Sequence, residues 1–435
     1  METHSQQQVR VLCSRVPEHA GHPVTVSGWV RSIRHLGRLA FVQVRDRSGV
    51  VQCVLEGELA AALPNPESVV TVTGTASLSP KAPGGVEIHA RELRCISAAA
   101  PLPFEINKET IAARLDTVLD HRVIALRHPR LHATFRIQSA LAGAFREGLR
   151  RREFTQIFTP KIVASGTEGG SNLFPVDYFG RQAYLAQSPQ FYKQMMVGAG
   201  YERVFEIAPV YRAEEHNTSR HLNEYVSLDV EMSFIRSEEE LMDLEQELLG
   251  SMLEKVAAEC ESELALLGVD LALPSDIPRI PIAEAQRILE RTYGKTSPKG
   301  DLDPEGERLL CQHVAEKGKP SFVFVTRYPR DIRPMYAKPA PEDSALTASF
   351  DLLCNGLEIT TGGQRIHDYD ELVASIRGRG MNPDHFTGYL DVFRYGMPPH
   401  GGFAIGLERL TSRLLGQSNV REASAFPRDR MRLTP

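Results

Sequence analysis

Residues 205–234 read FEIAPVYRAEEHNTSRHLNEYVSLDVEMSF, and this stretch decides the fold. Two strand-like runs flank a polar, charged loop. On the return run Val226, Leu228, Val230, Met232 and Phe234 are apolar, and Tyr225, Ser227, Asp229, Glu231 and Ser233 alternate with them. Strand side chains alternate between faces, so one face is expected in a core while the other carries a row of functional groups. On the outgoing run Phe205, Ile207 and Tyr211 share one parity, Glu206 and Arg212 the other. Such a hairpin suits a charged ligand, although an amphipathic surface hairpin would give the same alternation.

On the N-terminal side, residues 24–96 hold five β-rich runs: Val24–Ile33, Phe41–Arg45, Val50–Leu55, Val69–Ala76 and Val86–Leu93. Turn signals separate them, among them Asp46-Arg47-Ser48-Gly49 and the loop Pro80–Gly85. Five strands in so short a span predict an OB-fold barrel, a fold that often binds single-stranded nucleic acid. Arg31, Arg34, Arg38, Arg45 and Arg47 cluster there beside Phe41 and Gln52. Residues 1–104 are net +2, against −7 for the rest of the chain. A barrel with a solvated basic rim is the plain alternative. An Ala/Pro linker follows at Ala98–Pro103.

Farther along, Leu131, Phe135, Leu141, Phe145 and Leu149 predict a helix over 131–153. A second helix is predicted over 237–267, with Ser237 and Glu240 as its capping box. Ser321–Thr326 and Phe350–Ile359 read as strands, Lys338–Pro341 as a loop. Without a βαβ rhythm, the expected class is α+β: an all-β N-terminal domain, then a largely antiparallel sheet flanked by helices. The 435 residues fit two or more domains. Six scattered cysteines form no Cys-x-x-Cys pair, so neither a zinc site nor a disulfide framework is expected. Neither a signal peptide nor a membrane-spanning apolar run is found, and a cytoplasmic setting is expected. Phosphate loops of the Walker and dinucleotide types are absent.

Three more segments carry chemistry. Gln187–Lys193 (QSPQFYK) sets a lysine just inside a helix, and Gly362-Gly363-Gln364-Arg365 sets an arginine beyond glycines that would let a ligand approach. Lys193 and Arg365 together could clamp one carboxylate. Asp351 and Glu358 flank Asn355-Gly356 and could share a divalent cation with phosphate oxygens. Gly401–Arg409 is a glycine-rich strand entering a helix, with Arg409 in the first turn.

Pro160, Arg212-x-Glu214 and Gly406-Leu407-Glu408-Arg409 occur in the order of motifs 1, 2 and 3 of class II aminoacyl-tRNA synthetases, which the chain resembles. The barrel points to subclass IIb. QSPQFYK (187–193), RAEEHNTSRHLNEY (212–225), GLEITTGGQRIH (356–367), RYGMPPHGGFAIGLERL (394–410) and the closing FPRDRMRLTP resemble the aspartyl-tRNA synthetase family, in its compact archaeal and eukaryotic form. The resemblance implies an anticodon-binding domain over 1–104, a hinge over 105–130 and a catalytic domain over 131–435.

The same resemblance implies that ATP lies against Arg212, Glu214, Arg220, His221, Tyr225, Glu358 and Arg409, with Arg212 and Arg409 catalytic and Mg²⁺ on Asp351 and Glu358. Aspartate would be held by Glu168, Ser188, Gln190, Lys193, Asp229, Thr361 and Arg365, with Glu168 on a closing loop. Asparagine's neutral amide would leave the two cations under-compensated. The anticodon would be read by Arg31, Phe41, Gln52, Pro83 and Glu87, and residues 145–160 would form a homodimer interface. Two positions depart from the family pattern. Thr361 replaces a usual serine. Pro83 replaces the lysine of enzymes restricted to aspartate tRNA and resembles the relaxed type that also charges asparagine tRNA, although Arg31 matches neither type. The rivals are an enzyme restricted to aspartate tRNA, an asparaginyl enzyme (opposed by Lys193), a silent RNA-binding paralogue (opposed by intact Arg212, Asp351, Glu358 and Arg409) and an asparagine-forming relative (opposed by the barrel).

Overall fold

The computed structural model describes residues 9–166 and 172–435. They fall into two compact units, Met1–His121 and Arg122–Pro435.

The first unit is a closed barrel of β1 (Pro23–Leu36), β2 (Leu39–Asp46), β3 (Gly49–Glu56), β4 (Val69–Leu78) and β5 (Val86–Ser97), in the order β1-β2-β3-β5-β4. Only β3 and β5 pair in parallel. The period-2 pattern drives closure: Val24, Val26, Val30, Val42, Val44, Val72 and Ile88 point inward and are buried.

In the second unit, β6 (Thr155–Gln156) precedes a small sheet of β7 (Ile162–Val163), β8 (Pro175–Tyr178) and β9 (Arg181–Leu185). The main sheet adds β10 (Arg203–Tyr211), β11 (Glu224–Ser233), β12 (Arg279–Pro281), β13 (Phe322–Thr326), β14 (Ser349–Cys354), β15 (Leu357–Arg365) and β16 (His400–Gly406). Its order is β12-β13-β14-β15-β16-β11-β10-β6, and only the two outermost pairings are parallel. One face is packed by the helices Pro129–Arg151 and Glu239–Glu259. Leu141, Phe145, Leu248 and Met252 meet Phe205, Leu228, Phe350 and Phe403 there. Each such side chain contributes about 1.5–3 kcal/mol on burial. The helices cross closely at Gly148, where a Cβ would lie 2.7 Å from Leu248 Cδ1. On the opposite face, helices Ile282–Tyr293 and Pro304–Glu316 cover the β12–β14 end, leaving the centre for a site.

Several local expectations change. The 237–267 segment is two helices, Glu239–Glu259 and Glu261–Leu267, and Ser237 caps neither. Glu238 holds the N-cap position, and Glu240 Oε1 instead accepts from the Arg236 backbone N–H at 2.8 Å. Phe350–Ile359 is a hairpin, turned by Asn355 and Gly356 at φ 46° and 79°. Phe234 leaves β11 in the left-handed region (φ 59°) and is 66% exposed, so it is not core. Glu206 does not line the central cleft. Its carboxylate accepts from Thr159 N (2.8 Å) and Thr159 Oγ1 (2.7 Å) and pairs with Lys161. Gly362 borders the central cleft, as its reading as a ligand-approach glycine requires, and it also clears space for packing: a Cβ there would lie 2.4 Å from Phe350 Cζ on the core side.

Candidate active site

A cleft of about 260 Å³ opens over the centre of the main sheet. The antiparallel register β15-β16-β11 aligns the polar parity of the Tyr225–Ser233 run with Thr361 and Arg365, which is why residues far apart in sequence meet. Arg212, Glu214, Arg220, His221, Tyr225, Glu358 and Arg409 line the cleft, as do Ser188, Gln190, Asp229, Thr361 and Arg365. Lys193 and Asp351 are buried among these groups without lining the cleft themselves. Glu168 lies outside the described residues.

At one end four charges are buried together. Lys193 Nζ is 2.8 Å from Asp229 Oδ1 and 3.5 Å from Glu231 Oε2, and Arg365 Nε is 3.1 Å from Glu231 Oε1. Lys193 also donates to Val230 O, and Arg365 to Gly402 O and Gln190 Oε1. Burial opposes ionisation of Glu231, but Arg365 and Lys193 outweigh it and hold its carboxyl below the ordinary value. A Cβ on Gly402 would lie 2.3 Å from Glu231 Oε2, so glycine there makes room for this carboxylate. Two carboxylates, Asp229 and Glu231, therefore already face the two cations. Behind them, burial pushes His400 down to about 4. The neutral ring donates from Nδ1 to Pro398 O (2.8 Å) and accepts at Nε2 from Gln194 (2.7 Å). Gln194 Oε1 in turn accepts from Tyr389 Oη (2.9 Å).

At the other end, Arg212 follows β10 directly. Its backbone N–H donates to Asn223 O, and its guanidinium lies 5.8 Å from the Tyr225 ring centre. Arg409, in the first turn of helix Leu407–Leu414, donates to Glu358 O (3.0 Å) and stands 3.6 Å from Glu358 Oε1. His221 meets Thr218 Oγ1 at 2.6 Å, and burial followed by Arg409 lowers its pKa. Sequence reasoning missed Glu307, on helix Pro304–Glu316. It pairs with Arg220 and accepts from Glu358 N (3.0 Å), and burial pushes its carboxyl up to about 7.

Asp351 and Glu358 reach the same face through a β-bulge. The register slips between Leu352 and Leu353, whose partners are Thr360 and Glu358, so Ile359 is the extra residue. Without it Glu358 and Thr361 would face opposite ways; with it, Thr361 Oγ1 donates to Glu358 Oε1 at 3.0 Å. Asp351 Oδ2 accepts from Arg333 (2.7 Å), a partner with no motif signal, while Asp351 Oδ1 is buried without a hydrogen-bond partner. Burial raises the Asp351 carboxyl against the pull of Arg333. Glu358 is held low because Arg409 and Arg333 together outweigh burial. An orphaned carboxylate oxygen beside an ionised glutamate fits a hard oxygen-seeking cation. No third His, Cys, Asp or Glu completes a cage among the described residues, so water or phosphate would supply the other oxygens.

On the barrel, Ser32, Gln43, Gln52 and Glu87 stand in one row across four strands. Gln52 Nε2 donates to Glu87 Oε2 at 3.0 Å, and Arg34 lies over the Phe41 ring at 5.0 Å. Arg31 sits at a bulge between Val30 and Ser32. Pro83 is exposed and starts a one-turn helix whose Gly84 and Gly85 take φ of 73° and 72°. Arg45 leaves the basic cluster, because it pairs with the buried Glu67 at 2.8 Å.

Residues 114–430 match the family model of class II tRNA synthetases (D, K and N), and residues 24–96 match the OB-fold nucleic acid binding domain. The chain is 54% identical to the aspartate–tRNA(Asp/Asn) ligase of Thermus thermophilus, over 98% of this chain and 100% of that protein. It is 53% identical to the Deinococcus radiodurans protein of the same name, covering 98% and 99%. The crystal structure of asparaginyl-tRNA synthetase from Pyrococcus horikoshii complexed with asparaginyl-adenylate superposes with a TM-score of 0.91 at 33% identity, covering 98% of this chain and 100% of that one. With a barrel, a class II sheet and both family matches in register, this chain belongs to the class II tRNA synthetases of the D, K and N group.

Proposed function

We infer that this chain is an aspartate–tRNA ligase that charges both aspartate tRNA and asparagine tRNA. The observation that carries the amino acid is the buried Lys193–Asp229–Glu231–Arg365 cluster. A neutral side-chain amide has no use for the lysine, whereas a carboxylate can take it in exchange for Asp229. Ser188, Gln190 and Thr361 supply polar contacts around the same substrate, and Asp229 and Glu168 are assigned to its ammonium.

In the first step an aspartate α-carboxylate oxygen attacks the α-phosphorus of ATP, the bond to the β-phosphate oxygen breaks, and pyrophosphate leaves. Arg212 stabilises charge on the α-phosphate, and Tyr225 and Arg409 hold adenine between them. Glu214, Arg220 and His221 border the phosphates. Asp351 and Glu358 would hold Mg²⁺, whose role is to neutralise phosphate charge. In the second step the tRNA 3′-hydroxyl oxygen attacks the aspartyl carbonyl carbon, AMP departs, and the hydroxyl proton is lost. The chain supplies position and charge rather than a nucleophile.

Residues 1–104 serve as the anticodon reader, 105–130 as hinge and 131–435 as the catalytic domain. Phe41, Gln52, Glu87 and Arg31 contact anticodon bases. Pro83 supports the relaxed reading, since proline removes a donor and puts no lysine side chain at this position of the loop. A homodimer through residues 145–160 is supported by an exposed apolar group within that segment, Phe158 at 83%. The test is charging of two purified transcripts, aspartate tRNA and asparagine tRNA, with labelled aspartate. Comparable charging of both is expected; charging of the first alone refutes the dual assignment.

A further inference from the structure

A second cleft, of about 440 Å³, adjoins the active-site cleft, and Glu214 lines both. One wall is Ala213–Glu215, just beyond β10; the other is the segment 428–433. That segment is fixed in place. Asn223 N–H donates to Arg428 O (2.8 Å), and Glu224 and Arg428 form an antiparallel bridge. Asp429 Oδ1 accepts from Met431 N (2.8 Å) and Arg432 N (2.9 Å), and Asp429 pairs with Arg421. Arg430 donates to Glu215 O at 3.0 Å. With Asp429 engaged, this turn presents the exposed Arg430 beside apolar side chains, Met431 at 78% and Leu433 at 81% exposed, while the half-buried Arg428 and Arg432 donate to Pro435 O (2.7 Å) and Thr434 O (3.3 Å).

Guanidinium groups take phosphates, and apolar side chains take the faces of unstacked bases. A protein partner would also use the apolar groups, but continuity with the active-site cleft favours a substrate that must thread into it. We propose that the turn 428–433 is a subsite for the single-stranded 3′ end of tRNA, with Arg430 at a phosphate and Met431 against a base. The proposal rests on the reading that this chain charges tRNA, and it adds where the arriving strand is held.

The test uses Met431→Glu, which adds an anion at an exposed tip, and Arg430→Gln. Three quantities are read on the full chain: ATP–pyrophosphate exchange with aspartate in the absence of tRNA, charging kinetics, and affinity for an intact transcript relative to one trimmed of its unpaired 3′ nucleotides. Exchange is expected within about twofold of the parent, while KM for tRNA rises about tenfold and the intact-to-trimmed affinity ratio falls towards one. Unchanged KM and an unchanged ratio in both variants overturn the proposal. So does exchange falling in step with charging, which would make the turn a brace for Glu215, and so does equal binding of intact and trimmed transcripts by the parent. Failure of the parent to exchange with aspartate refutes the proposed function instead, and the affinity ratio still judges the subsite.

Discussion

Glu245 offers the sharpest test of the physics under the site. It lies on helix Glu239–Glu259, is fully buried, and faces the underside of β15, where Thr360 Oγ1 donates to its Oε1 at 2.6 Å. Its Oε2 is buried with no hydrogen-bond partner. Burial pushes its carboxyl up to about 8, against the Thr360 hydrogen bond and with a small push from Asp351. A carboxyl whose folded pKa lies above its unfolded value contributes stability that is complete below the unfolded pKa, here 4.5, and is lost as pH rises to about 8. At 1.36 kcal/mol per unit, the loss approaches roughly 4–5 kcal/mol, an upper figure. Glu245→Gln keeps the acceptor for Thr360 and removes the titration, but leaves its amide N–H groups unsatisfied at a cost of about 1–3 kcal/mol. The variant is therefore expected to be slightly less stable than the parent near about pH 5 and more stable near about pH 9, the gap shifting by roughly 4 kcal/mol between them. Urea unfolding of the catalytic unit at the two pH values measures this. Parallel stability-against-pH curves for parent and variant would show that Glu245 is ionised in the fold, and the reasoning would fail.

The buried charge cluster predicts that Lys193→Met costs about 3–5 kcal/mol of stability, since it strands carboxylates, and that adding Asp229→Asn recovers part of that loss; additive losses in urea unfolding would contradict it. Succinate, which is aspartate without its amino group, is expected to inhibit aspartate-dependent exchange at least about 100-fold more weakly than aspartate binds, because the carboxylates of the cluster need a cation in return; inhibition at aspartate-like concentrations would refute the exchange of partners argued below. Arg212→Ala is expected to slow ATP–pyrophosphate exchange about 10²–10³-fold with little change in KM for aspartate, as loss of one charge-stabilising donor should. Pro83→Lys is expected to leave aspartate tRNA charging intact and to lower asparagine tRNA charging about tenfold, in line with 1–3 kcal/mol for one base contact; equal effects on both tRNAs would exclude a reading role for this loop.

The barrel was legible because its core depends on a local, period-2 signal: Val24, Val26, Val42 and Val44 are apolar at alternate positions, and all are buried. The order of the site motifs was legible too, since Arg212 and Arg409 follow the ends of β10 and β16 and Arg365 closes a glycine-bearing strand. What sequence could not carry is pairing across distance. Lys193 and Asp229 are 36 residues apart and Glu307 and Arg220 are 87 apart, and no local pattern announces either pair. The bulge at Ile359 reverses the parity that would have separated Glu358 from Thr361, and no glycine or proline marks it. Ser237-x-x-Glu240 has the letters of a capping box, yet Glu238, whose carboxylate pairs with Arg327 just beyond β13, takes the cap position and makes no side-chain cap hydrogen bond.

The same long-range pairs change how selectivity for a charged amino acid has to work. Two bare cations would attract any dianion. Here Lys193 and Arg365 are matched by Asp229 and Glu231, so the pocket without substrate carries no excess positive charge. On the proposed function, aspartate must enter by exchange: its side-chain carboxylate takes Lys193 and Arg365, while its ammonium compensates the carboxylate that Lys193 gives up. Asparagine offers the ammonium without the carboxylate, so a buried lysine would remain tied to Asp229 or be left partly unpaired, and leaving a buried charge short of its partner is the costly outcome. Succinate offers the carboxylates without the ammonium and would leave Asp229 stranded. Only a ligand bearing both charges completes the exchange, which ties recognition of the side chain to recognition of the amino group.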